Sequence, residues 1–200
     1  MKDIVVEQVS KRFGEKRVLE HFSAVFAGGE TTCIMGDSGC GKTTLLNLLM
    51  GFEKADGGRI TGVPEHMSTV FQEDRLCEAF GAVSNIRLVL GRKVPAEWIR
   101  DHLRELGLDG DAFDKPVSEF SGGMKRRVAI ARAVSYGGDV LFMDEPFKGL
   151  DESTKKMAAA YVRRHAAGRT VIMVTHDESE VELMGGHLIR MVRGAEEDHA

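Results

Sequence analysis

The stretch Gly36–Thr44, "GDSGCGKTT", decides how the rest of this 200-residue chain is read. Residues 36–43 fit the spacing GxxxxGK[ST] without a gap. An apolar run, "TTCIMG" (31–36), precedes the loop and reads as a buried strand ending at glycine. "KTTLLNLLMG" (42–51) follows it and reads as a helix, with Leu45, Leu46, Leu48 and Leu49 as a broad apolar face and Gly51 as its stop. A glycine loop between strand and helix is the context in which this spacing holds phosphate. Gly36, Gly39 and Gly41 allow the backbone to curl until its N–H groups face inward on an anion. The helix that starts near Lys42 aims its positive end at the same point. Lys42 adds a compact cation, and Thr43 offers a hydroxyl ligand to a divalent ion. Asp37, Ser38, Cys40 and Thr44 complete the binding stretch. Cys40 reads as a small residue that fits the loop, since no partner thiol is evident. A glycine-rich turn that binds nothing is the competing reading, and the flanking strand and helix argue against it.

Working outward, residues 4–26 alternate apolar and polar, with Ile4, Val6 and Gln8 set against Val5 and Glu7, and glycines at 14, 28 and 29 between the runs. These read as short antiparallel strands. "KADGGRITG" is turn chemistry around a short strand, Arg59 to Thr61, and "MSTVF" (67–71) is another strand. From about 75 to 135 the period turns helical. "VSNIRLVLG" is one helix; "PAEWIRDHLRELGL" is a second, with Trp98, Ile99, Leu103 and Leu106 as its apolar positions and Pro95 in the first turn. "SGGMKRRVAIARAVS" is a third. Beyond it, "DVLFMDEP" (139–146) and "RTVIMVTH" (169–176) are continuous apolar strands separated by the helix "ESTKKMAAAYVRRHAAG", and a short helix and a last strand (187–192) follow. Fully apolar strands alternating with helices indicate a parallel sheet covered on both faces. The expected fold class is therefore α/β: a parallel core, an antiparallel β-subdomain near the N-terminus and a helical insert. Residues of about 1–72 and 136–200 make the core with its β-subdomain, and about 73–135 make the helical part.

Composition narrows the class. Hydrophobic residues make up 42% and charged residues 29%, ordinary for a globular domain that buries its own core. No apolar run approaches the ~20 residues of a membrane-spanning helix, and no secretory leader is expected. The net charge of −4 gives no electrostatic reason to expect nucleic acid as a partner. Cys33, Cys40 and Cys77 match no zinc spacing and are expected as reduced thiols of a cytosolic protein. The seven histidines form no metal-type cluster in sequence.

Two further motifs carry chemistry. In "VLFMDEP" an acid ends a buried apolar strand, which is costly unless it meets a cation. Asp144 is thus placed for Mg²⁺, and Glu145 beside it can polarise an attacking water. "FSGGMKRR" (120–127) is a second glycine pair before a helix, with Ser121 and the N–H groups of Gly122 and Gly123 at its positive end. It lacks both a metal-binding acid and a loop lysine, so alone it is half a phosphate site. A GTPase would carry an NKxD base-reading motif and a small nucleoside kinase an arginine-rich lid; neither is present.

With these residues in order, the chain resembles the ATP-binding subunit of an ABC (ATP-binding cassette) transporter, over essentially all 200 residues. "FSGGM" matches the signature motif, Gln72 in "VFQEDRL" the glutamine loop, "GLD" (149–151) the D-loop, and His176 in "VTH" the switch histidine. Phe13 in "KRFG" falls where the family stacks an aromatic ring on adenine. The resemblance implies a P-loop NTPase fold with a RecA-like core, ATP and Mg²⁺ as ligands, and ATP hydrolysis coupled to transport. It implies that Lys42, Glu145 and His176 act in catalysis, and that Thr43, Gln72 and Asp144 serve the metal. It further implies that Ser121, Gly122, Gly123 and Asp151 reach the nucleotide across a subunit boundary. The partners it implies are a second ATPase subunit, commonly an identical one joined on ATP binding, an integral-membrane permease and a solute-binding protein. The location it implies is the cytoplasmic, inner face of the cell membrane.

"VFQEDRL" and "SGGMKRR" are similar to the ATPases of nitrate, sulfonate and taurine importers. An exporter or lipid-extraction ATPase shares the same fold and stays open. A soluble ABC ATPase of repair or translation would need long insertions, and a non-hydrolysing module would not need Glu145 and His176. The chain departs from the family at Phe120, where leucine is usual, at Met124, where glutamine is most common, and at Lys148 and Gly149, where serine and alanine are frequent.

Overall fold

The computed structural model describes residues 1–192. Its central sheet has five parallel strands in the order β5-β6-β7-β3-β8. These are β3 (Thr31–Met35), β5 (Met67–Val70), β6 (Val140–Asp144), β7 (Thr170–Thr175) and β8 (His187–Arg190). A second, antiparallel sheet has the order β2-β1-β4, from β1 (Ile4–Phe13), β2 (Lys16–Phe26) and β4 (Gly57–Thr61). The helices are α1 (Lys42–Leu49), α2 (Ala82–Leu90), α3 (Ala96–Glu105), α4 (Gly122–Tyr136), α5 (Glu152–His165) and α6 (Glu178–Met184). None of the helices among the described residues is long and apolar enough to cross a membrane.

The two central strands β6 and β7 are buried at every position, because their successive side chains face two cores. On β6, Leu141 and Met143 join one hydrophobic cluster while Val140 and Phe142 join the other; β7 divides the same way, with Val171 and Met173 against Ile172 and Val174. The second cluster lies between the two sheets and takes in Leu45, Leu46, Leu48 and Leu49 of α1, with Ile4, Val6 and Phe26 from the antiparallel sheet. The first takes in the helices of the insert. Each large apolar side chain buried this way contributes about 1.5–3 kcal/mol. Because α1 is gripped on the side facing the antiparallel sheet, the loop before it is held rigidly at the carboxyl end of β3.

Three expectations change. The N-terminal strands are long, not short, at 10 and 11 residues. The face of β1 is also not Ile4, Val6 and Gln8: a bulge between Val6 and Val9, with Gln8 at φ 49°, slips the alternation so that Val9 turns inward and Gln8 outward. Trp98 is 41% exposed, off the buried face formed by Ile99, Leu103 and Leu106, and its ring lies 4.1 Å from that of His102. The helical insert has no core of its own, since Ile86, Leu103 and Val128 share one cluster with Leu141 and Met143 of the sheet.

Candidate nucleotide site

Four strands of the parallel sheet deliver their carboxyl ends to one edge. β3 runs into the Gly36–Lys42 loop, β5 leads to Gln72, β6 ends on Asp144 and β7 ends just before His176. A pocket at this edge, of about 320 Å³, is lined by Gly39, Gly41, Lys42, Thr43, Thr44 and Ser38 of the loop. Gln72, Asp144, Glu145 and Phe13 also line it.

The loop's three glycines are needed for different reasons. Gly39 and Gly41 have φ of 82° and 104°, a region that side chains rarely adopt. Gly36 is needed for space: a Cβ there would stand 2.3 Å from the Met191 carbonyl oxygen and 2.8 Å from Cys40 Sγ. Cys40 is buried, packed as the small residue its position requires. Gly41 caps α1 without any side-chain hydrogen bond, so the first-turn N–H groups remain available to a ligand. Lys42 is 7% exposed, and its ammonium donates to the carbonyl oxygens of Gly36 (2.6 Å) and Asp37 (2.8 Å).

Asp144 is 7% exposed and accepts from the Thr43 hydroxyl at 3.4 Å. Burial pushes its carboxyl above the usual carboxylate range, with the Thr43 hydroxyl offsetting part of that. A hydroxyl, a carboxylate whose charge is penalised by burial, and the exposed Gln72 amide are hard oxygen donors of the kind Mg²⁺ takes. The donor set therefore fits that ion.

Glu145 has φ 45°, an uncommon conformation for a residue with a side chain. Its Oε1 accepts from His176 Nδ1 at 3.0 Å and its Oε2 from Lys148 Nζ at 2.9 Å. Burial raises its pKa, but these two partners outweigh burial and hold the carboxyl below its ordinary value. Since a carboxylate only accepts, His176 must carry its proton on Nδ1 in this contact. The turn holding His176 is itself tied down. The Thr175 hydroxyl donates to buried Glu180 at 2.6 Å and Lys155 of α5 reaches Asp177 at 2.9 Å. Asp177 caps α6 through the Ser179 N–H.

Not all the expected residues meet in this pocket. Ser121 caps α4, its Oγ accepting from the Met124 N–H at 3.3 Å, and Gly122 looks onto open space, with nothing within 4 Å of where a Cβ would be. Asp151 caps α5 through the Thr154 N–H at 2.9 Å. Hydrogen bonds from Ser153 and then Thr154 hold its carboxyl well below the usual range. Gly36, Asp37 and Cys40 of the loop, and Ser121, Gly122, Gly123, Asp151 and His176, do not line the pocket.

Some contributors have no motif. Lys16 and Val18 line the pocket. The β1–β2 register sets Lys16 directly opposite Phe13, and that could have been read from the hairpin turn at Gly14. Arg126 donates to the carbonyl oxygens of Phe71 (2.7 Å) and Gln72, and Arg132 to those of Asp74 (2.8 Å) and Arg75 (2.7 Å). Both arginines belong to α4, so the helix that begins at Ser121 also pins the segment bearing Gln72.

A parallel sheet that gathers a GxxxxGKT loop, a buried acid and a glutamate at its carboxyl ends defines a P-loop nucleotide-binding fold. Within that class, the sequence profile of the ABC transporter family matches residues 19–148, and the chain belongs to that family. It is 36% identical over 214 residues to the bicarbonate transport ATP-binding protein CmpD of Synechococcus elongatus, covering 96% of this chain and 76% of that protein. It is 38% identical over 193 residues to the aliphatic sulfonates import ATP-binding protein SsuB 1 of Paraburkholderia xenovorans, covering 93% of this chain and 56% of that one. The chain thus spans little more than half the length of the sulfonate relative. Among solved structures, it superposes on the dimeric structure of MJ0796, a bacterial ABC transporter cassette, with a TM-score of 0.83 at 25% identity and 94% coverage of both chains.

Proposed function

We propose that this chain binds ATP with Mg²⁺, hydrolyses it, and energises import of a small anion or similar small solute through a separate membrane permease. The observation that carries this reading is the convergence of the loop, Asp144 and the Glu145–His176 pair at one sheet edge, while the Ser121 end of α4 stays outside their pocket. The loop N–H groups and Lys42 hold the phosphates, and half-exposed Phe13 offers its ring to the base. Thr43, Asp144 and Gln72 would hold Mg²⁺, which when bound supplies positive charge to the phosphate oxygens. Glu145 orients water and accepts its proton as the oxygen attacks the terminal phosphorus and the bond to ADP breaks. His176 keeps Glu145 in register and supports the terminal phosphate.

The open Ser121–Gly123 terminus is then the missing wall of a second copy's site, with Asp151 beside the boundary, so that two chains close head to tail over two ATP molecules. Residues of about 73–135 act as the helical subdomain that passes this closure to the permease, with residues 1–72 and 136–200 as the catalytic part. The chain sits on the cytoplasmic face of the membrane, and a solute-binding protein supplies the permease. The import direction follows the role for which the sulfonate relative is named, and the class of solute follows the names of the bicarbonate and sulfonate relatives. Phosphate release from ATP tests the chemistry: Glu145→Gln is expected to keep nucleotide binding and lose about 10²–10⁴-fold in turnover. Unchanged release in that variant refutes the assignment. Copurification from membranes tests the coupling: recovery with a multi-span permease is expected, and recovery with soluble proteins alone contradicts a transport role.

A further inference from the structure

Lys148 lies three residues beyond Glu145 and returns to it twice. Its backbone N–H donates to the Glu145 carbonyl oxygen at 3.2 Å, closing the turn that follows the strained residue, and its ammonium lies 2.9 Å from Glu145 Oε2. The other carboxylate oxygen is taken by His176. The Glu145 side chain is 16% exposed and that of Lys148 is 53% exposed. An ion pair with one partner this far into solvent adds little to the stability of a fold. Its consequence falls on the carboxylate, whose last torsion is otherwise soft and two-fold.

We propose that Lys148 is a positioning residue for hydrolysis, fixing the rotation of the Glu145 carboxylate through Oε2 while His176 fixes it through Oε1. This inference rests on the reading of Glu145 as the residue that orients the attacking water. Each oxygen can accept two hydrogen bonds, so both ties can be made with a lone pair left for water. With only His176 remaining, the carboxylate turns about its end, and misplacement by about an ångström near reacting atoms costs up to ~10²-fold in rate.

The test compares Lys148→Met, which keeps the stem and removes the charge, with Lys148→Arg, which keeps a cation. Steady-state phosphate release from ATP is measured for both, with the KM for ATP and the thermal midpoint. Lys148→Met is expected to lower kcat about tenfold with KM and midpoint as in the parent, and Lys148→Arg to restore most of the rate. A kcat for Lys148→Met equal to or above the parent overturns the proposal. So does an equal loss in Lys148→Arg, or a loss carried by KM or by the thermal midpoint. Parental turnover by Glu145→Gln refutes the underlying role of Glu145 instead, whatever Lys148→Met does.

Discussion

Helices α1 and α4 both open beside a glycine, and their first turns differ in what they leave free. α1 starts at Gly41 with no side-chain cap, a buried lysine one residue on, and a buried aspartate 3.4 Å from the next hydroxyl. Its N-terminus is walled, charged and left without an internal acceptor. α4 starts at Ser121, which commits its own hydroxyl to the Met124 N–H, and faces open space at Gly122. A capped helix end is stable in isolation and offers fewer free donors. Similar glycine-bearing starts therefore give two different ends: the first turn of α1 is left uncapped inside a pocket, and that of α4 is capped by its own side chain at the surface.

Breaking the exposed half carries the largest expected effect on that contrast. Ser121→Arg, made in the Glu145→Gln background so that ATP is retained, is expected to abolish ATP-driven dimerisation by light scattering. Burying an unpaired charge at such a contact costs about 3–5 kcal/mol, or at least ~10²-fold in dimer affinity. Nucleotide binding to the single chain should persist. A dimer that still forms means α4 is not part of a shared site. The smaller effect comes from the walled half. Lys42→Ala removes a charged donor, and calorimetry should show nucleotide affinity weaker by about 10–100-fold, corresponding to about 1.5–3 kcal/mol. Equal affinity would make the two helix ends alike after all, and the loop no more a phosphate site than α4.

Residues whose role depends on their neighbours along the chain are legible in the sequence. The Gly36–Thr44 loop and Asp144 at a strand tip follow from local spacing, and each lies where its pattern requires. Partnerships between distant segments are not legible in this way. Nor is a turn that folds a side chain back on its neighbour: Lys148, read in the sequence only as a departure where serine is frequent, returns to Glu145 three residues before it. Trp98 fits a helical period yet is left half outside, because the period gives a face only to within a residue. His102 and His165 are 63 residues apart in sequence, and their rings come within 4.7 Å only because α3 packs beside α5. The bulge at Gln8 shows in the sequence only as a shift of phase, from Ile4 and Val6 to Val9.

The two arginines of α4 have a mechanical consequence. Four carbonyl oxygens of Phe71, Gln72, Asp74 and Arg75 hang from Arg126 and Arg132. Each such charged hydrogen bond is worth about 1.5–3 kcal/mol. Sliding α4 while leaving that segment in place would snap all four at once, whereas moving both together breaks none. The connecting stretch is thus a tow-bar rather than a hinge: whatever displaces the Ser121 end of α4 draws Gln72 along with it, and a load applied to Gln72 is felt at Ser121.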